Sequence, residues 1–116
     1  MKNFKLSIIT ENQNQLKKAK DVADLVRKDL GINSDPEIMR CEKFPDSYKI
    51  EFFKKFKSDS DFISEAVELT DRIASPWMVQ YDRTTGGIEL IFNKSSDCRY
   101  GRNNFNVVRW SHLEVE

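Results

Sequence analysis

The most constraining feature of this chain is the order in which its apolar residues change their spacing. Phe4, Leu6 and Ile8 alternate with polar residues, which is the period of a half-buried strand. Between Leu16 and Leu30 the apolar residues instead recur at the three- and four-residue spacing of an amphipathic helix. A strand and a helix that each have one apolar side bury those sides against each other, so we expect a helix packed on a sheet.

The ends of this first helix carry their own signals. Asn12 followed by Gln15 resembles a capping box, which predicts that the helix begins just after Asn12. Gly31 follows the last apolar position of the pattern, where a left-handed residue commonly ends a helix.

The rest of the chain predicts one more helix and five more strands. A hairpin is expected from 38–44 and 48–52, and a second helix, capped by Ser58 or Ser60, buries Phe62, Ala66, Leu69 and Ile73 before Pro76. The last three strands are predicted at 77–81, 88–92 and 105–115, with a glycine-containing turn at 82–87 and a bulge near Arg109.

The predicted order is therefore β-α-β-β-α-β-β-β, an α+β class. Its first six elements match a ferredoxin-like split β-α-β unit, with two helices on one face of a mostly antiparallel sheet. The 116 residues contain no internal repeat or linker, so we expect one domain spanning 1–116.

Composition limits the classes of partner. The formal net charge is zero and the pI is about 6.6, whereas a protein that depends on phosphate contacts usually has a basic excess. We therefore do not expect a nucleic acid as the main partner. No apolar run approaches the length of a membrane span, and the N-terminus lacks a signal-peptide pattern, so we expect a cytoplasmic protein without a membrane partner.

The residues that support catalysis or metal binding are few. Cys41, Cys98 and His112 are far apart in sequence and match neither zinc-ligand spacing nor a nucleophile signature, although a Cys–His pair in space stays open. Gly86 and Gly87 lie between two strands and do not open a helix, so they predict a hairpin turn rather than a phosphate loop. We expect no cofactor, no metal and no small-molecule substrate, and we interpret the chain as a non-enzyme.

An acidic stripe on the second helix is the first feature that suggests a protein partner. Asp61, Glu65 and Glu68 share one side of that helix, away from its buried stripe, and residues 58–75 hold five acidic residues and one basic residue. The stripe is interpreted either as a solvated face or as an electrostatic surface for a basic partner.

The second such feature is a concentration of arginine, tyrosine, tryptophan and histidine in the last third of the chain. These residue types, above all Trp, Tyr and Arg, are enriched at binding hot spots. The residues chosen as partner-binding candidates are Asp82, Arg83, Tyr100, Arg102, Trp110 and His112.

The chain resembles the small immunity proteins of bacterial contact-dependent growth inhibition and related polymorphic toxin systems. The resemblance lies in size and element order, and in residues 77–82 (WMVQYD), 86–93 (GGIELIFN) and 108–114 (VRWSHLE). It implies a cytoplasmic, non-enzymatic protein that binds and neutralises the C-terminal toxin domain of a cognate effector, in many cases a nuclease. Many inhibitors of nucleases are strongly acidic, whereas this chain is neutral, which leaves the activity of the toxin open.

Two other functions remain as alternatives. The predicted fold also suits a ferredoxin-like regulatory or ligand-binding domain, which would hold a small molecule in a pocket. An RNA-binding module is the third interpretation, because single-stranded nucleic acid also binds surfaces of arginine and aromatic residues.

Overall fold

Eight strands, two α-helices and a short 3₁₀ helix make up the computed structural model, which describes residues 2–13, 15–42, 44, 46–57 and 60–115. In chain order the elements are β1 (Asn3–Thr10), α1 (Leu16–Leu30), β2 (Glu37–Arg40), β3 (Tyr48–Lys55), α2 (Phe62–Asp71), β4 (Ala74–Ser75), β5 (Met78–Tyr81), β6 (Ile88–Asn93), β7 (Arg99–Tyr100), the 3₁₀ helix (Asn103–Val107) and β8 (Val108–Val115). The fold is α+β, as predicted.

Six of the strands form one sheet in the order β2-β3-β1-β8-β6-β5, and each neighbouring pair is antiparallel. β4 and β7 pair separately as a small two-stranded sheet. Because β8 pairs with both β1 and β6, it joins the half of the sheet made by β1, β2 and β3 to the β5–β6 hairpin.

The strand order differs from the expected ferredoxin-like order. In that order the strand predicted at 77–81 would lie beside β1, whereas this strand, β5, lies at the sheet edge and β8 lies beside β1. The physical reason is the burial pattern of the two strands. All four residues of β5 are exposed, whereas Leu113 and Val115 of β8 are buried opposite Leu6 and Phe4. A central strand has neighbours on both edges, so the strand with the more regular apolar side occupies this place.

One hydrophobic cluster lies between the helices and one side of the sheet. It contains Leu6 and Ile8 of β1, Leu90 of β6, Val26 of α1 and Leu69 of α2. The intervening strand residues point to the other side, because successive side chains of a strand alternate between its two faces. Both helices therefore cover the same face of the sheet, and no helix of the described residues lies on the opposite face.

The ends of α1 confirm one prediction and correct another. Gly31 adopts a left-handed conformation with φ 64°, and its N–H bonds to the carbonyls of Arg27 and Lys28. The predicted cap at Asn12 is wrong: Asn12 itself has φ 59°, and Gln15 is the residue before the first helical turn. Asn12 turns the chain out of β1 instead, a role that short polar residues fill well because they tolerate positive φ.

The second helix and the last strand also begin later than expected. Asp61 precedes the first turn of α2 without a side-chain capping bond; Ser58, one of the two predicted caps, lies outside the described residues. Phe105 is fully buried in the 3₁₀ helix rather than in a strand, so β8 begins at Val108. Neither helix of the described ranges combines the length and the apolarity that crossing a bilayer would require.

Candidate functional site

The open face of the sheet, meaning the side without helices, presents a continuous set of mixed side chains. Its central members come from β3, β1, β8 and β6, and strand pairing places them in rows across the sheet. These residues are Lys49, Glu51 and Phe53 of β3, Lys5, Ser7 and Ile9 of β1, Trp110, His112 and Glu114 of β8, and Glu89, Ile91 and Asn93 of β6.

Trp110 and His112 form the aromatic centre of this face. They are two residues apart on β8, so they point to the same side, and their ring centroids lie 5.7 Å apart. Trp110 lies between Ile9 and Asn93 of the neighbouring strands, and His112 lies between Ser7 and Ile91. The two-residue alternation of side chains along β8 places Trp110 and His112 together on the open face.

The imidazole of His112 is close to a carboxylate on the adjacent strand. Its Nε2 lies 3.6 Å from Oε1 of Glu89, and both side chains are partly exposed. The contact sits at the rim of the aromatic centre, where polar groups remain accessible to water and to a partner.

A β-bulge shapes the end of the open face next to Trp110. Ile9 is paired with Trp110, but Thr10 is paired with Val108, so Arg109 is the extra residue, at the place predicted from the sequence. The Arg109 guanidinium lies 4.4 Å from the centroid of the Phe44 ring. An open groove results, lined by Ile9, Glu11, Phe44, Asn93, Lys94, Arg109 and Trp110.

The β3 side of the open face holds a partly compensated charge cluster, with Lys49 directly opposite Ile9 and Glu51 directly opposite Ser7. The carboxylate of Glu51, only 7% exposed as a residue, accepts bonds from Lys5 at 3.2 Å and Lys49 at 3.3 Å. Burial disfavours the ionised carboxyl, but the two ammonium groups outweigh it and hold the pKa of Glu51 below its ordinary value. This part of the face therefore carries two ammonium groups around one ionised carboxylate at physiological pH.

Asp82 and Arg83 lie at the tip of the β5–β6 hairpin. Asp82 Oδ1 accepts the backbone N–H of Thr84 at 2.9 Å and that of Thr85 at 3.4 Å. These two bonds lower the pKa of the Asp82 carboxyl. Asp82 thus builds the turn, as short acidic residues often do, while Arg83 is exposed beside it.

Tyr100 and Arg102 lie on the helix side of the molecule, away from the open face, and hold local structure together. The Tyr100 hydroxyl donates to the carbonyl of Val108 at 2.9 Å, and burial raises the pKa of this phenol above its ordinary value. The Arg102 guanidinium binds both carboxylate oxygens of Asp29 at the end of α1. Neither side chain lies on the open face with Trp110 and His112.

The acidic stripe of α2 lies on the helix side of the sheet and is partly compensated. Glu68 forms an ion pair with Arg72 at 2.7 Å. Glu65 is half-buried rather than solvated, and its Oε1 accepts the backbone N–H of Lys57 at 3.0 Å. Asp61 is exposed at the start of the helix. The groove beside Glu65 and Glu68 is also lined by Lys28, Lys54, Lys57 and Arg72, so its charge is mixed.

The nine predicted residues therefore fall into separate places. Trp110 and His112 share the open face, Asp82 and Arg83 occupy the adjoining hairpin tip, and the others lie on the helix side. The sequence missed Ile9, Phe44 and Lys94 as neighbours of Trp110. Ile9 had a signal, because two consecutive isoleucines break the alternation of β1; Phe44 and Lys94 approach only through the tertiary fold.

The two cysteines are free thiols, each half-buried. Cys98 packs against the helix-side hydrophobic cluster, whereas His112 points to the open face. Within the ranges that the structure describes, no cluster of His, Cys, Asp and Glu side chains could hold a metal ion.

A comparison with models of known protein families gave no match, and a comparison with curated protein sequences gave none either.

Proposed function

We propose that this chain is a protein-binding module that recognises its partner through the open face of the sheet. The observation that carries the proposal is the Trp110–His112 pair, half-buried between Ile9 and Ile91 on the face that neither described α-helix covers. A large aromatic side chain held by its neighbours can dock without losing much conformational freedom, which is the behaviour of a binding hot spot.

The surroundings of Trp110 suit a protein partner in particular. The aromatic centre is bordered by polar groups of both signs, among them Glu89, Arg109 and the Lys5–Glu51–Lys49 cluster. An apolar centre inside a polar rim is the usual anatomy of a protein–protein interface. The near balance of charges on the rim favours a mixed-charge partner over a polyanion such as RNA.

The partner we infer is the toxin domain of a cognate contact-dependent inhibition effector, which this chain would bind one-to-one in the cytoplasm. This part of the proposal rests on the resemblance of residues 77–82, 86–93 and 108–114 to small immunity proteins. In such a complex the aromatic anchor would govern the dissociation rate, and the charged rim would govern the association rate.

We also infer that β2-β3-β1-β8 forms a ferredoxin-like unit in which β8 takes the place of the fourth strand. The split β1-α1-β2 connection, with β3 between the two parallel strands, supports this interpretation. Residues 74–107 would then be an insertion that extends the sheet with the β5–β6 hairpin.

The experiment that tests the function starts from the gene immediately upstream. Its C-terminal domain is expressed in cells with and without this chain, and the two proteins are then purified together by size exclusion. We expect rescued growth and a one-to-one complex. An upstream gene for a metabolic enzyme, or continued toxicity despite good expression of this chain, contradicts the proposal.

Two further measurements address the alternative functions. A single-stranded RNA such as poly-U is titrated at low and high salt, and a metabolite panel is screened by thermal shift. Tight, steeply salt-dependent RNA binding at the open face, or a large stabilisation by one metabolite, would replace the toxin-binding proposal.

A further inference from the structure

The edge strand β5 lacks the charged residues that the other edge of the sheet carries. Met78, Val79 and Tyr81 are 53%, 54% and 62% exposed, and no residue of β5 is charged. The opposite edge, β2, carries Glu37 and Arg40. Natural proteins commonly place charges on free edges to prevent strand addition, so the unprotected edge is the one available to another strand.

The backbone of β5 offers hydrogen-bonding groups at alternate residues. Asp82 N–H bonds to the Gly87 carbonyl at 2.9 Å, which makes this pair a hydrogen-bonded pair of the β5–β6 ladder. Because such pairs alternate along an antiparallel ladder, Gln80 and Met78 also direct their backbone groups to β6. The N–H and C=O groups of Val79 and Tyr81 therefore point outward from the sheet.

Two of the open-face side chains next to this edge are acidic. Glu89 of β6 is directly opposite Glu114 of β8, and Gln80 of β5 follows Glu89 in the same row. Like charges directly opposite each other destabilise a strand pair. Lys5 lies directly opposite Glu114 but is bound to Glu51, and the imidazole of His112 lies 3.6 Å from the Glu89 carboxylate. A cation from outside would relieve this repulsion.

We propose that β5 accepts an extended segment of the protein partner as a seventh strand, with a Lys or Arg of that segment opposite Gln80. The backbone groups of Val79 and Tyr81 would provide the hydrogen bonds, and Glu89 and Glu114 would bind the cation. A second copy of this chain fits less well, because it would bring another Glu89–Glu114 pair toward the first. The inference rests on the proposed protein-binding function and names how the partner is held.

A defined peptide tests the edge without the toxin domain. The probe is an end-capped octapeptide of alternating valine and lysine, compared with the same peptide carrying glutamate in place of lysine. Both are titrated into the full chain while backbone amide signals are followed by NMR. We expect shifts at Val79, Tyr81, Glu89 and Glu114, and binding about tenfold weaker for the glutamate peptide.

Matched variants separate the backbone from the side chains. Val79→Pro removes an outward N–H but no bond to β6, whereas Val79→Ala keeps the N–H; we expect only the proline variant to lose the lysine peptide. Tyr81→Pro is the second variant if Val79→Pro does not fold. The double variant Glu89→Gln, Glu114→Gln is expected to bind both peptides equally.

The outcomes are distinct from those of the proposed function. Three results would each overturn the inference. One is the absence of NMR shifts at β5, and another is equal binding of the two peptides by the unmodified chain. The third is a dimer of this chain that the Val79→Pro substitution dissociates. The toxin domain could form its complex while the Val79 and Tyr81 amides exchange with solvent as fast as in the free chain. In that case the proposed function is supported and the proposed seventh strand at β5 is wrong. If the lysine peptide binds at β5 but no toxin domain does, the edge inference stands and the toxin proposal fails.

Discussion

Arg102 binds both carboxylate oxygens of Asp29, joining the segment before the 3₁₀ helix to the last turn of α1. Arg72 donates to the backbone carbonyl of the same residue at 2.9 Å. Arg102 is one of the predicted partner contacts, but this geometry gives its guanidinium a structural role inside the chain.

The first prediction concerns the acid stability of this pair. The hydrogen bond from Arg102, together with its charge, lowers the pKa of Asp29 below the ordinary value of 3.8. The pair therefore adds stability above the unfolded-state pKa, and this stability is lost as the pH falls through the lowered folded-state value. We expect Arg102→Ala to be less stable than the unmodified chain at pH 7 and to lose less of its stability on acidification.

Arg83→Ala is the control for this measurement, because it removes the same charge from an exposed position at the hairpin tip. Urea denaturation of the three proteins between about pH 7 and pH 3 compares them. Parallel pH profiles for the unmodified chain and Arg102→Ala would show that the ion pair adds nothing.

The second prediction concerns the hydroxyl of Tyr100. Tyr100→Phe removes the donor to the Val108 carbonyl and leaves that acceptor without this bond next to the core. We expect a loss of about 1–2 kcal/mol in the free energy of unfolding, measured by chemical denaturation. Tyr81→Phe, at an exposed residue of β5, is expected to change it by less than about 0.5 kcal/mol. Equal effects of the two variants would contradict a structural role for Tyr100.

The third prediction concerns the aromatic centre of the open face. Trp110→Ala is expected to weaken the toxin-domain complex by at least about 30-fold, because truncating a central hot-spot residue costs about 2 kcal/mol or more. Calorimetry on the purified pair measures it. Phe53→Ala is the control: Phe53 lies on the same face and is 52% exposed, but it is on β3 and its pairing neighbour is Lys5. A loss shared equally by both variants would argue against a centre at Trp110.

The fourth prediction separates the two faces of the molecule. Glu68→Lys reverses a charge on α2, on the helix side, and breaks the ion pair with Arg72. Because the proposed partner docks on the open face, we expect its affinity to change by less than about threefold, with only a small loss of stability. A large loss of affinity, with the fold intact by circular dichroism, would place the partner on the acidic stripe instead.

The sequence predicted the features that depend on residues close together in the chain, such as helix ends and a bulge. Gly31 ends α1 because its position needs a left-handed conformation, and the weakened alternation near Arg109 marked the bulge. It did not predict which strand lies beside β1, because the period of a strand shows which side is buried but not its neighbours. The cap predicted at Asn12 failed because a short polar residue suits a turn as well as a helix cap, and the sequence pattern does not distinguish the two.

For the candidate site, too, the sequence predicted local placement along a strand but not the neighbours that the tertiary fold brings in. Trp110 and His112 share a face by alternation alone, so the sequence could place them together. The half-burial of Glu65 could not be seen on the helical pattern, because the group that binds it is the backbone N–H of Lys57, outside that helix. Phe44 likewise reaches Arg109 only once the fold brings the two segments together.

The place of β8 between β1 and β6 has a consequence for how the chain is made. Residues 108–115 leave the ribosome after all the other strands described, yet each half of the sheet needs them as its link to the other half. Until β8 is available, one edge of β1 and one edge of β6 therefore have no strand to pair with. The sheet closes in a late, long-range step, and a released chain truncated before Val108 would present two open strand edges to other chains.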